Sequence, residues 1–355
     1  MLSNATTKAS TLTASPKSVV LCDDATTWEH GDQMNLRLKV GELDALRSVS
    51  EGGRYWRSMM ISLTRRQFGL AAMAASVGGA SARAQPGVPT VRLPDGSLVP
   101  ALGQGSAGLA GGRHPASQEE EALRTGISLG MTLLDTAEIY GNGNAEQMIG
   151  RVIAGQRDQV FVVSKVWPSH ATADGIRAAC TASLARLATH YLDLYLLHWR
   201  TGVRDLGVVV QTFESLRAEG HIRRWGVSNF EVADMEDLFR IRGGEACATN
   251  QVVYNLADRR IERGLLAWCE GHGLPIMAYS PLGRGGDLLR NAGLGRVVQR
   301  HQSSPAAVAL AWTIRSGRVI AIPESGSPAH VRENASALSL RLTEADVDEL
   351  KRAFS

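Results

Sequence analysis

Cysteine is scarce and scattered: Cys22, Cys180, Cys247 and Cys269 are the four in 355 residues. No two stand at CxxC spacing and no histidine cluster lies beside them, so neither a zinc site nor a redox dithiol is expected, and no metal is expected elsewhere. Charge of one sign is lacking too. The formal net charge is +3, and no run of Lys and Arg builds the basic footprint that a nucleic-acid partner requires. No apolar run reaches the roughly 20 strongly hydrophobic residues of a membrane span, so an integral membrane protein is not expected. The one GxGxxG, Gly103-Gln104-Gly105-Ser106-Ala107-Gly108, overlaps a β-type run instead of following a strand and opening a helix, so a Rossmann dinucleotide site is not indicated. What the sequence does have is 44% hydrophobic residues, enough for a sizeable core. An α/β barrel can use about 250 residues as one domain, so this length does not demand two.

The front of the chain reads differently from the rest. Residues 1–58 are rich in Ser, Thr, Asp and Arg without a sustained apolar period, and are expected to be disordered or to be a mis-assigned extension. Met59 and Met60 stand shortly before Thr64-Arg65-Arg66-Gln67-Phe68-Gly69-Leu70, which resembles a twin-arginine export motif. An Ala- and Gly-rich stretch from Gly69 to Ala80 follows, then Ala82-Arg83-Ala84, an A-x-A cleavage site, with Gln85 next. Residues 59–84 therefore read as a signal peptide and 85–355 as the mature chain. The expected partner is the twin-arginine machinery and the expected location the periplasm, with the cytoplasm as the alternative if the signal is unused.

From Val88 onward the pattern alternates. Val91–Leu93 and Ser97–Pro100 flank the turn dipeptide Asp95-Gly96, a short hairpin. Eight short β-type runs follow: Ala101–Ser106, Thr132–Asp135, Val160–Val166, Leu192–Trp199, Arg224–Asn229, Ala248–Tyr254, Leu274–Ser280 and Arg318–Pro323. Helical spacing separates them, as in Glu119–Leu129, Asp174–Leu187, Val208–Ala218 and Ala306–Ile314, with stop signals at Gly130, Gly155, Gly220, Gly273 and Gly317. Strand–helix alternation predicts a parallel sheet, and eight units predict closure into a (β/α)8 TIM barrel. A last helix over Thr343–Ala353 is expected outside it, with Thr343 as its cap.

Barrels of this kind do chemistry at the C-terminal ends of their strands. There the sequence places Asp135 and Tyr140 after the second strand, Lys165 at the end of the third and His198 at the end of the fourth. Taken singly each has a plain reading: a helix cap, a rim aromatic, a surface ion pair, a satisfied core histidine. Taken together they form a chemical set. A tyrosine with an ordinary pKa of about 10 is a poor proton donor at neutral pH, and an ammonium beside it lowers that value. An aspartate keeps a buried lysine charged, and a histidine can orient a carbonyl. Such a set suits carbonyl reduction, in which an alkoxide oxygen is protonated as hydride arrives.

The blocks LLDTAEIYGNGNAEQMIG, VSKVW, LDLYLLHW, WGVSNF, NQVVYN, AYSPLGRG and IPES…HVREN, in this order, resemble the signatures of the aldo-keto reductases from about Val88 to the C-terminus. That resemblance implies reversible, NAD(P)H-dependent reduction of aldehydes and ketones, with Tyr140 as general acid and Asp135, Lys165 and His198 completing the tetrad. It implies that Ser228, Asn229 and Gln251 hold the carboxamide of the nicotinamide and that Tyr279 stacks on its ring. It implies that Ser280, Leu282 and Arg284 follow the pyrophosphate, and that Glu324, Ser325, His330, Arg332, Glu333 and Asn334 meet the adenosine end. One position departs from the family pattern. IPKS is common, its lysine meeting the 2′-phosphate of NADPH, and this chain has Glu324; His330 stands where an arginine is frequent. Glu324 either repels that phosphate and accepts from a free ribose hydroxyl, favouring NADH, or points to solvent while Ser325 and Arg332 hold it. NADP(H) and NAD(H) both remain open.

Trp167, two residues after the catalytic lysine, and Trp199, directly after the histidine, are expected to line the substrate pocket beside His198. Ala107 stands where many relatives carry a tryptophan, and the link after His198 is too short for a large lid, so a broad, open pocket is expected. Because the family also includes potassium-channel β-subunits, a cofactor-binding regulatory subunit with little turnover is the alternative. A monomer is the family-like expectation.

Overall fold

Side chains of a strand point alternately to its two sides, and in the barrel both sides are covered. In Phe161–Val166 every residue is buried: Phe161 and Val163 join the apolar set inside the barrel, and Val162 and Val166 the set beneath the helices. The same alternation sends Leu133 inward and Leu134 outward, Leu194 and Leu196 inward and Tyr195 and Leu197 outward. Polar side chains that fall on the inward phase near a strand's C-terminal end therefore have one destination, the mouth of the barrel.

The computed structural model describes residues 87–354 and, before them, the strands β1 Ser10–Ala14, β2 Lys17–Leu21, β3 Thr27–Trp28, β4 Gln33–Val40 and β5 Arg57–Thr64. Contacts divide the chain into two units, Met1–Gly79 and Ala80–Ser355. Within the first, the strands pair antiparallel, β1 with β2, β2 and β3 with β4, and β4 with β5. No regular structure was expected over residues 1–58. The missed signal is a period of two, Met34, Leu36, Leu38 and Val40 alternating with Asn35, Arg37 and Lys39. The remaining residues of 1–58 and most of the signal-like segment 59–84 lie outside the described residues.

The second unit opens on the expected hairpin, β6 Thr90–Arg92 with β7 Leu98–Pro100, in which Val91 faces Val99. Gly96 takes φ 85 at its turn, a backbone that glycine adopts without strain. Val91, Leu93 and Val99 pack with Leu133, Phe161 and Leu194 from the strands' early residues, so the hairpin plugs the N-terminal end of the barrel. Arg224 pairs with Asp95 at 2.6 Å to hold it there.

The barrel strands are β8 Gln104–Gly105, β9 Leu133–Asp135, β10 Phe161–Val166, β11 Leu194–Leu197, β12 Trp225–Ser228, β13 Asn250–Val253, β14 Ile276–Tyr279 and β15 Val319–Ile322, hydrogen-bonded in sequence order. All seven pairings along this order are parallel. Gly103 N donates to Ala321 O at 2.8 Å and Gly105 N to Pro323 O at 3.0 Å, joining the first strand to the last. The helices between them are α1 Ala116–Ser128, α2 Asn144–Ile153, α3 Ala173–Arg186, α4 Leu206–Ala218, α5 Val232–Arg240, α6 Leu265–Gly271, α7 Ala292–His301 and α8 Pro305–Ile314, and α9 Pro328–Ala335 follows the last strand. A last helix, α10 Glu344–Ala353, has the expected cap, Thr343 accepting from Asp346 N while Asp346 reaches back to Thr343 N. Cys180, Cys247 and Cys269 are free and buried, and burial pushes each thiol up to about 12. Among the described residues no helix is long and apolar enough to cross a membrane.

Candidate active site

Asp135, Lys165 and His198 all fall on the inward phase of β9, β10 and the end of β11, and all three are buried. Lys165 is fully covered, which is costly for an ammonium unless it is paired and hydrogen-bonded. Its Nζ donates to Asp135 Oδ2 at 2.7 Å, to the carbonyl of Thr136 at 2.8 Å and to the Tyr140 hydroxyl at 3.3 Å. The other carboxylate oxygen, Oδ1, accepts from Gln251 Nε2 at 2.7 Å. Burial pulls the ammonium down, but the Asp135 carboxylate and the Tyr140 oxygen more than offset it, so Lys165 stays charged above its ordinary range.

Tyr140 corrects one expectation. Lysine beside it was expected to lower the phenol's pKa, yet the hydroxyl sits above its ordinary value. Burial raises it most, Lys165 opposes, and the carboxylates of Asp135 and Glu324 add to the rise. With Lys165 already neutralised by Asp135, its field at the phenol is too weak to overcome desolvation. Tyr140 is therefore a stored proton rather than a phenolate.

His198 stands across from Tyr140, ring centroids 5.7 Å apart, and edge-on to Trp167 at 5.2 Å. Burial and the Lys165 cation push its pKa down to about 3, so the imidazole is neutral. Its Nδ1 is buried without a hydrogen-bond partner, a cost that a bound polar group would remove. Trp167 is half-buried at the pocket wall, and Trp199, at 39% exposure, is one of the most exposed large apolar side chains among the described residues. Ala107 is exposed, and β11 is followed by only a short link to α4.

On the opposite strands Ser228, Asn229, Gln251 and Tyr279 are knitted together. Ser228 Oγ donates to Gln251 O at 2.9 Å, Asn229 Nδ2 to Ser228 Oγ at 3.0 Å and to His198 O at 3.1 Å, and the Tyr279 hydroxyl to Asn229 Oδ1 at 3.0 Å. Asn229 takes φ 60 and Ser280 φ 48, left-handed backbone that costs a non-glycine residue about a kcal/mol or more. Gln251 has a further set of contacts: its amide donates to Asp135 and to Met277 Sδ at 2.8 Å, tying it to the Asp135–Lys165 pair. Past β14, Leu282 packs against the core and Arg284 is exposed in a turn at φ 60.

Past β15, Ser325 Oγ accepts from Ser327 N at 3.1 Å, and Ser327 caps α9. His330 and Glu333 are exposed and Asn334 is buried. Arg332 departs from expectation: it lines a groove with Val88, Leu129 at the C-terminal end of α1, and Arg341, on the barrel's flank. Glu324 neither points to solvent nor stands free. Its Oε2 accepts from Gly108 N at 2.5 Å and its Oε1 from Arg113 Nη2.

Two residues of this site went unread in the sequence. Glu138 lies within the quoted block LLDTAEIYG, and its Oε1 accepts from Trp167 N at 2.6 Å and meets His170 Nδ1 at 3.0 Å, fixing Trp167 beside His198. Arg113 has no local signal, since its partner lies 211 residues away. Among the described residues no three His, Cys, Asp or Glu side chains converge as a metal site would require.

A model of the aldo/keto reductase family matches residues 101–354. The chain is 46% identical over 260 residues to methylglyoxal reductase YeaE of Escherichia coli, covering 72% of this chain and 91% of the relative. It is 33% identical to glyoxal reductase of Bacillus subtilis, covering 74% and 91%. A crystal structure of an aldo-keto reductase from Klebsiella pneumoniae in complex with NADPH superposes with a TM-score of 0.72 at 45% identity, over 75% of this chain and 95% of that one. With the tetrad assembled at one mouth and its family matched along the whole barrel, the chain belongs to the aldo/keto reductases and is a carbonyl oxidoreductase.

Proposed function

We propose that this enzyme reduces small aldehydes, foremost 2-oxoaldehydes of the glyoxal and methylglyoxal type, with NADPH. The observation that carries the reading is the Asp135–Lys165–Tyr140 chain ending beside a neutral histidine with an unpartnered buried nitrogen. The names of the two relatives support the substrate class, and the NADPH in the Klebsiella structure supports the cofactor. Ser228, Asn229, Gln251, Tyr279 and Ser280 present the polar atoms and the ring that would hold a nicotinamide, which supplies hydride. Tyr140 gives its proton to the carbonyl oxygen. Lys165, already hydrogen-bonded to the phenol, stabilises the charge left on it. Asp135 and Gln251 keep Lys165 in place, and His198 orients the carbonyl without competing for the proton. The exposed Ala107 and the absence of a long loop after His198 leave the pocket open, which suits small substrates held by few contacts.

Cofactor oxidation with a panel of aldehydes tests this. Tyr140→Phe is expected to lower kcat by roughly 10²- to 10⁴-fold, the usual worth of a general acid, with cofactor affinity unchanged. Tight cofactor binding by the wild type with no turnover on any aldehyde would replace this reading with the regulatory one.

The reading extends to location. Export by the twin-arginine machinery, cleavage before Gln85 and a monomeric periplasmic enzyme are supported by the order of the Arg65-Arg66 motif, the Ala- and Gly-rich stretch and Ala82-Arg83-Ala84. Replacing both arginines by lysine should trap the protein in the cytoplasmic fraction. Unchanged fractionation would end the export proposal.

A further inference from the structure

The loop after β8 and the segment after β15 form one wall of the mouth, and an ion pair joins them. Both oxygens of Glu324 are engaged, one by Gly108 N and one by Arg113 Nη2. Each carboxylate oxygen thus already has a donor before any ligand arrives. The guanidinium is fixed at two of its nitrogens, Nη2 donating to Glu324 and Nε to Gly108 O at 3.2 Å. Among the described residues Nη1 has no hydrogen-bond partner, and the side chain is 61% exposed. Around it the wall is close-packed. Gln118 Nε2 donates to Gly326 O at 3.1 Å, and a Cβ added at Gly326 would come within 2.6 Å of the His114 ring. The wall ends at Ser325 and Ser327, where α9 begins.

We propose that Arg113, oriented by Glu324, binds the 2′-phosphate of NADPH, so that a side chain from the first barrel loop sets the preference for NADPH over NADH. The assignment rests on the nicotinamide-dependent reading above. A carboxylate alone on this wall would repel a phosphate dianion. Paired, it neutralises one charge and holds a guanidinium whose remaining edge suits bidentate contact with phosphate oxygens. The orienting contact is made before the ligand arrives, so little side-chain freedom is lost on binding. The positive charge expected of the residue at position 324 is thus delivered by a partner from across the sequence.

The test is the dissociation constants of NADPH and NADH for the full chain, by quenching of protein fluorescence. Arg113→Ala is expected to weaken NADPH by roughly tenfold or more, the loss of a charge-assisted contact, and to leave NADH within about twofold. Arg113→Lys should fall between, keeping the charge without the fork. Equal weakening of both cofactors, or an unchanged NADPH constant in a folded Arg113→Ala protein, would overturn the assignment. A wild-type protein that binds neither cofactor would instead overturn the nicotinamide reading on which it rests.

Discussion

At the scale of single residues, the site is an argument about where charge is allowed. Lys165 and Asp135 are both buried and each is the other's main compensation. Lys165→Met should therefore cost about 3–5 kcal/mol of stability, because it strands a buried carboxylate. Lys165→Met with Asp135→Leu should recover much of that loss in urea denaturation while activity stays lost. A double variant less stable than either single would contradict the pairing. The pH dependence follows from the same groups. Burial holds His198 neutral down to about pH 3, so kcat/KM for reduction should show no inflection near pH 6.5, the ordinary histidine value. Tyr140 is raised, so reduction should fall only as pH climbs above about 10, where the phenol loses the proton it must donate. For stability the sign is opposite in direction: the depressed His198 value means its contribution is whole above about pH 6.5 and is lost as pH falls toward 3. A pH–rate profile with a limb at 6.5 would show His198 to be wet.

At the scale of elements, α10 shows how far local rules reach. Its cap was legible because Thr343 and Asp346 stand at the spacing of a capping box, and the structure closes both bonds. Tertiary structure then adds what no local window contains. Arg300 and His301 of α7 both meet the Asp346 carboxylate. Burial raises Asp346, but these partners and Thr343 outweigh it, holding the carboxyl well below its usual range. Thr343→Ala should cost about 1 kcal/mol in thermal or urea denaturation, the ordinary worth of an N-cap. Asp346→Asn should cost more, since it also takes the carboxylate from His301 and leaves Arg300 with Glu349 alone. The contribution is present above about pH 4 and should fade as acid titrates the carboxylate. The strands were equally legible, because their runs are short, largely apolar and alternate with segments of helical spacing. Gly220 and Gly317, read as helix stops, take φ 81 and φ 69. What stayed hidden were pairings across distant segments: Arg113 with Glu324, Gln251 with Asp135, and Arg332 turned to the flank.

At the scale of the molecule, strand alternation and barrel closure carry Asp135, Lys165 and His198 to one place, which is why a one-dimensional reading found them. The front of the chain resisted because its apolar residues alternate with charges inside a Ser- and Thr-rich composition. The barrel with its hairpin has its own core and closure, so a chain beginning at Gln85 is expected to melt cooperatively and to keep full turnover; loss of either would make the first unit part of the enzyme. The buried thiols have a last consequence. Cys180, Cys247 and Cys269, each pushed up to about 12, carry almost no thiolate at neutral pH, and only the thiolate attacks electrophiles. After Ala80 the lysines are Lys165, sealed inside, and Lys351. Past Ala80, the chain thus offers an aldehyde few thiolate or amine nucleophiles, because of where those atoms were folded.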